Sequence, residues 1–137
     1  MTFTINSKIY SGTLLFIAAM NLVGSITLYA TVIYRGQLAN VSLFQSLLAL
    51  AGLCLVASII YCVLKKRGPI KILIWVWSVM LFITGLSSLL LSQLQASASV
   101  QYPISFYMFN LLFVTLGAYF FFGVNYHIKM NSAEKDA

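Results

Sequence analysis

"YCVLKKRGPIKILIWVW", residues 61–77, places four of the chain's eight basic residues within seven positions, between two apolar runs. Lys65, Lys66 and Arg67 suit the end of a helix, where aligned peptide dipoles leave partial negative charge. Gly68 suits the position just beyond a helix, and Pro69 suits the first turn of the next. A helix stop and a helix start are thus written in five residues, with a tight turn between them. The flanking runs are long and oily, so the turn reads as a connection between two membrane spans.

Composition points the same way. Of 137 residues, 61% are apolar and only 7% are charged, whereas a soluble domain carries about a quarter charged residues. The two acids, Glu134 and Asp136, fall in the last four residues, leaving residues 1–133 without a carboxylate side chain. A net charge of +6 does not point to nucleic acid here. The cations flank apolar segments instead of lining a helix face or alternating with exposed aromatics.

Ile9 to Tyr34 is uncharged over 26 residues, about 39 Å of helix, and a bilayer core asks for roughly 20 residues. This run is too long for the apolar part of a signal peptide and is expected to remain as the first helix. The second uncharged run, Gly36 to Leu64, becomes apolar near Val41. Between Lys71 and Lys129 there is no formal charge if His127 is neutral, and "SQLQASASVQYP", residues 92–103, is the polar break.

The expected architecture is an all-α membrane protein, a single four-helix transmembrane bundle over residues 1–137. Its helices lie at about 9–34, 41–64, 69–91 and 104–128, up-down-up-down, followed by a short polar tail at 129–137. Basic residues collect on the cytoplasmic side of membrane proteins. With both termini cytoplasmic, that side holds Lys8, Lys65, Lys66, Arg67, Lys71, Lys129 and Lys135, and the other side holds only Arg35. Short loops point to a bacterial inner membrane.

Helices in lipid associate through small residues and interhelical hydrogen bonds, because lipid removes most of the hydrophobic drive between them. Stripes of that kind occur on every span: Ser11, Ala18 and Ser25 with Asn21; Ala51, Cys54, Ser58 and Cys62; Ser78, Gly85 and Ser92 with Ser88; Asn110 and Gly117. Cys54 and Cys62 are eight residues apart on one helix, a rise of about 12 Å, so they cannot form a disulfide with each other.

Asn21, Ser88 and Asn110 are the polar residues placed to touch a partner or ligand inside the membrane. Asparagine also serves as plain interhelical glue. Lys65, Lys66, Arg67 and Lys71 are candidates for anionic-lipid contact, besides setting topology. His127, the only histidine, has no carboxylate near it in sequence.

Catalysis needs an acid, a base, a metal or an activated nucleophile, and no pattern for any of these is present. No enzyme activity, cofactor or metal is expected. Proton-coupled transport rests on ionisable residues inside the membrane, and the spans hold no Asp, Glu or Arg, with Lys71 and His127 only at their ends. The topology of four short helices with aromatic side chains resembles that of small multidrug resistance transporters. That family relies on a glutamate in its first helix, and residues 9–34 contain none.

Two functions remain. One is a small polytopic inner-membrane protein acting by helix–helix recognition, as an accessory subunit, regulator or immunity-type protein. Its partners are the lipid bilayer and another membrane protein or a second copy of itself. The other is a small uncoupled carrier or flippase for a lipid-linked or amphipathic molecule. The first is preferred, because a path for polar cargo asks for more polar lining than these spans offer.

Overall fold

The computed structural model describes residues 2–34, 36, 43–96 and 101–131. Among them are four helices, α1 (Lys8–Tyr34), α2 (Leu43–Lys65), α3 (Ile70–Ala96) and α4 (Ile104–His127). Two short strands, β1 (Thr2–Ile5) and β2 (Ile128–Asn131), flank this set. Among the described residues, three segments are long and apolar enough to cross a membrane: Lys8–Thr31, Ile70–Gln95 and Ile104–His127. The comparable apolar stretch of α2, Ala49–Lys65, is shorter. Large apolar side chains such as Phe16, Met20, Val23, Leu90, Phe109 and Phe122 are exposed, the surface that hydrocarbon accepts and water does not.

The chain divides into two compact units, Met1–Leu73 with His127–Ala137, and Ile74–Tyr126. In the first, β1 and β2 pair antiparallel with Thr2 opposite Asn131 and Ile5 opposite Ile128. Alternation along a strand sends successive side chains to opposite faces. Phe3 and Ile128 are accordingly buried, and Thr2, Thr4, Lys129 and Asn131 are exposed. Asn131 Nδ2 donates to Thr2 Oγ1 at 3.4 Å across that outer face.

Ser7 caps α1, its hydroxyl oxygen accepting from the Tyr10 amide at 3.2 Å, which satisfies one of the amides left open at a helix start. Tyr10, Leu14 and Ala18 are fully buried along α1, and Val56, Ile59 and Val63 are buried on α2. Near the end of α1, the Tyr29 hydroxyl donates to the Ser46 carbonyl at 3.2 Å, near the start of α2. At the other end, the Phe3 amide before α1 donates to the Lys66 carbonyl after α2 at 3.3 Å. The two helices therefore run antiparallel.

In the second unit the residues of α3 and α4 meet backbone to backbone at two levels. A Cβ on Gly117 would lie 2.8 Å from the Ser78 carbonyl oxygen, and one on Gly85 would lie 2.7 Å from the Asn110 carbonyl oxygen. Seven residues separate the two positions on each helix, so these helices too are antiparallel. Trp77 stacks on Phe120 beside this seam, with ring centroids 5.3 Å apart.

Several features differ from the sequence-based expectation. The polar-outside ribbon β1–β2 adds a small sheet to a fold expected to be all α. Its second strand is Ile128–Asn131, so residues 129–131, expected in the tail, and Ile128, expected to end the fourth helix, pair as strand instead. The polar break expected to begin at 92 begins later, because α3 continues through Ala96. Gln93, Leu94 and Gln95 are good helix formers, and the Tyr102 hydroxyl donates to Gln95 Oε1 across the connection. Arg35, the start of the expected second helix at 41–42, residues 97–100 of the expected break and the tail from 132 onward lie outside the described residues.

Candidate functional site

The α2–α3 turn forms as its residue types require, with one exception. Arg67 N–H donates to the Cys62 carbonyl at 3.3 Å, the bond that closes a helix through a left-handed residue. That left-handed residue is Lys66, at φ 53°, where glycine is the usual occupant. Gly68 follows at φ 110°, and a Cβ there would lie 2.7 Å from Cys62 Sγ. The Pro69 carbonyl then accepts from Leu73 N–H at 3.3 Å, opening α3.

Strand pairing enlarges the basic turn into a basic end. Thr2 bridges to Arg67, β1 leads into Lys8 at the start of α1, and Thr4 pairs with Lys129 of β2. Six cations from three separate stretches of sequence, Lys8, Lys65, Lys66, Arg67, Lys71 and Lys129, thereby fall in one unit. Lys71 is half-buried and the other five are exposed. No carboxylate side chain occurs among the described residues. His127 packs its ring on buried Tyr10 at 4.9 Å between centroids, and its carbonyl accepts from Asn6 N–H at 2.9 Å.

Beside this end lies an open groove of about 490 Å³, lined by Ala57, Ser58, Tyr61, Cys62, Pro69 and Leu73. Positions 58, 61, 62 and 65 share one helix face at spacings of three and four, so Lys65 continues the α2 wall of the groove. A second groove, about 250 Å³, lies on the α3–α4 seam against Ser78, Phe82, Gly117 and Phe121. Its exposed lining is wholly apolar.

Two of the three polar residues picked out inside the spans, Asn21 and Asn110, are bonded within their own helices. Asn110, buried, donates from Nδ2 to the Phe106 carbonyl at 2.8 Å. Asn21, half-buried, accepts from the Ser25 hydroxyl at 3.5 Å. Ser78 donates to the Trp75 carbonyl at 2.9 Å, Ser92 to Leu89 at 2.7 Å and Ser58 to Cys54 at 2.7 Å. Ser88 is half-buried. Among the described residues no buried side-chain polar atom is left without a hydrogen bond.

The small-residue stripes fall in different settings. Ser78, Gly85, Ser92, Asn110 and Gly117 are buried. On α1, Ala18 is buried and Ser11 and Ser25 are half-buried. On α2 the stripe turns outward: Ala51, Cys54 and Ser58 are exposed, and only Cys62 is buried. The packed face of α2 is instead aliphatic, through Val56, Ile59 and Val63. Sequence reasoning missed Thr2, Phe3 and the β1–β2 pairing that gathers the cations. The only local signal was the polar–apolar alternation of residues 2–5.

No protein-family model, curated protein or solved structure matches this chain.

Proposed function

We propose that the chain is a polytopic membrane protein whose four helices all cross, up-down-up-down, with the basic end and both termini cytoplasmic. A bacterial inner membrane is the setting in which short loops and this charge bias fit together. α2 has 23 residues, and about 20 suffice for a span. The protein works by helix–helix recognition, as an accessory subunit, regulator or immunity-type protein, without chemistry of its own.

One observation carries this reading: the exposed small-residue face of α2. Within the second unit, the Ser78, Gly85, Asn110 and Gly117 positions let two helix backbones touch. Ala51, Cys54 and Ser58 have the same character but remain exposed. In lipid, such a face is where another helix can approach closely. The hydrogen bonds support recognition over carriage, because Ser58, Ser78, Ser92 and Asn110, which could line a cargo path, each bond to a carbonyl of their own helix.

The test uses the full chain purified in mild detergent. Recovery of a stoichiometric membrane partner or a defined homo-oligomer is expected, with loss of that assembly in the Ala51→Leu, Cys54→Leu double variant. A clean monomer without partner, together with facilitated flux in liposomes, would overturn the proposal in favour of a carrier.

A further inference from the structure

We propose that the basic end holds one anionic phospholipid, with its phosphate against Lys65 and an acyl chain in the groove formed by Ala57, Ser58, Tyr61, Cys62, Pro69 and Leu73. The groove joins two features that a free anion site would not need together. It is a shallow, open and mostly apolar groove of about 490 Å³, a shape that suits an acyl chain lying along the protein surface. The Ser58 hydroxyl is already bonded to the Cys54 carbonyl, so the wall it shares with Ala57 offers an acyl chain little but hydrocarbon. Tyr61, exposed at the basic end of that wall, has the amphipathic character suited to the headgroup boundary.

Charge complementarity selects the lipid. Lys65 extends the α2 wall of the groove, and Lys66 and Arg67 follow it on the turn. Lys8 and Lys129 are brought to the same unit by the β1–β2 pairing. No carboxylate side chain occurs among the described residues at this end, and an anionic headgroup complements the six cations gathered there. Basic pockets at the cytoplasmic ends of membrane helices are suited to anionic headgroups. A zwitterionic lipid would fill the groove equally well but would bring no net charge to the cations. The site uses the basic half of the α2 face and shares only Ser58 with the docking face, whose Ala51 and Cys54 lie outside the groove, so a failure of helix docking at Ala51 and Cys54 leaves the lipid site testable by itself.

The full-length protein is reconstituted in phosphatidylcholine vesicles containing a minor fraction of phosphatidylglycerol. Electron spin resonance then measures the immobilised share of spin-labelled phosphatidylglycerol against spin-labelled phosphatidylcholine. Wild-type protein is expected to prefer phosphatidylglycerol, and Lys65→Gln to lower that preference about fivefold, the worth of one cation near a charged lipid surface. Ala57→Leu fills the groove without changing any charge and is expected to abolish the selectively immobilised component. Ala19→Leu, at an exposed position of α1, is expected to leave it intact. Equal immobilisation of the two lipids by wild-type protein would overturn the proposal. So would an unchanged preference in Ala57→Leu, which would mean diffuse surface charge, or an equal loss in Ala19→Leu.

Discussion

Gly117 of α4 lies directly against the backbone of Ser78 on α3. A Cβ at Gly117 would stand 2.8 Å from the Ser78 carbonyl oxygen and 2.9 Å from the Phe82 nitrogen. Gly85 meets the Asn110 carbonyl oxygen and the Val114 nitrogen at 2.7 and 3.1 Å in the same way. Backbone atoms cannot swing aside as a side-chain tip can, so even one methyl group must push the helices apart. Gly117→Ala and Gly85→Ala are each expected to destabilise the protein by about 1–3 kcal/mol, the usual cost of overpacking. Gly24 and Gly52 have nothing within 4 Å of an added Cβ, so alanine there should be neutral or gain up to about 1 kcal/mol of helix propensity. Steric-trapping unfolding in lipid bicelles checks all four variants.

The close approach at Gly85 and Gly117 falls where the sequence places small residues. Small residues at spacing seven, Ser78, Gly85 and Ser92 on one helix and Asn110 and Gly117 on the next, are how helices approach closely where lipid removes the hydrophobic drive. The pattern says that a face can be approached and not what approaches it, and hence Ala51, Cys54 and Ser58 carry the same signature and stand exposed. The β1–β2 pairing was not legible for a different reason. Thr2–Ile5 alternates over only four residues, and its partner strand lies at the far end of the chain, where no local periodicity can announce it. The α2–α3 turn was half legible: Gly68 declares its backbone requirement, and Lys66 does not.

Gly68 combines a backbone constraint with a packing constraint. At φ 110° it occupies a conformation that side-chain-bearing residues rarely adopt, and an added Cβ would meet Cys62 Sγ at 2.7 Å. Gly68→Ala is expected to cost more than the roughly 1–3 kcal/mol of backbone strain alone. Cys62→Ala removes the sulfur and should restore only the packing part. A double-mutant cycle over Gly68→Ala and Cys62→Ala should therefore give a favourable coupling of about 0.5–3 kcal/mol. A coupling near zero would mean that the cost is wholly in the backbone.

Lys66 holds a left-handed conformation at φ 53°, which costs an ordinary residue about 1–2 kcal/mol. Its carbonyl accepts from the Phe3 amide, so the same backbone also anchors β1. Lys66→Gly is expected to retain or slightly raise thermal stability. Lys66→Val should lower it by more than the strain already present, because β-branching disfavours this region further. Unfolding midpoints of the two variants, which lose the same charge, separate backbone geometry from electrostatics.

The cations at the basic end also give a topological prediction. If Lys65, Lys66 and Arg67 hold the α2–α3 turn on the cytoplasmic face, replacing all three with Gln weakens the inside bias without altering any span. Lys8, Lys71 and Lys129 share that end of the fold, so the expected result is a mixed population and not a complete inversion. Adding Lys8→Gln and Lys71→Gln should raise the inverted fraction further, since orientation follows the number of basic residues near the span ends. Reporter fusions at each terminus, one active only in the cytoplasm and one only outside it, measure both fractions. If the triple variant keeps a single orientation and loses partner recovery in detergent, the turn contacts the partner directly and its charge is not what orients the chain.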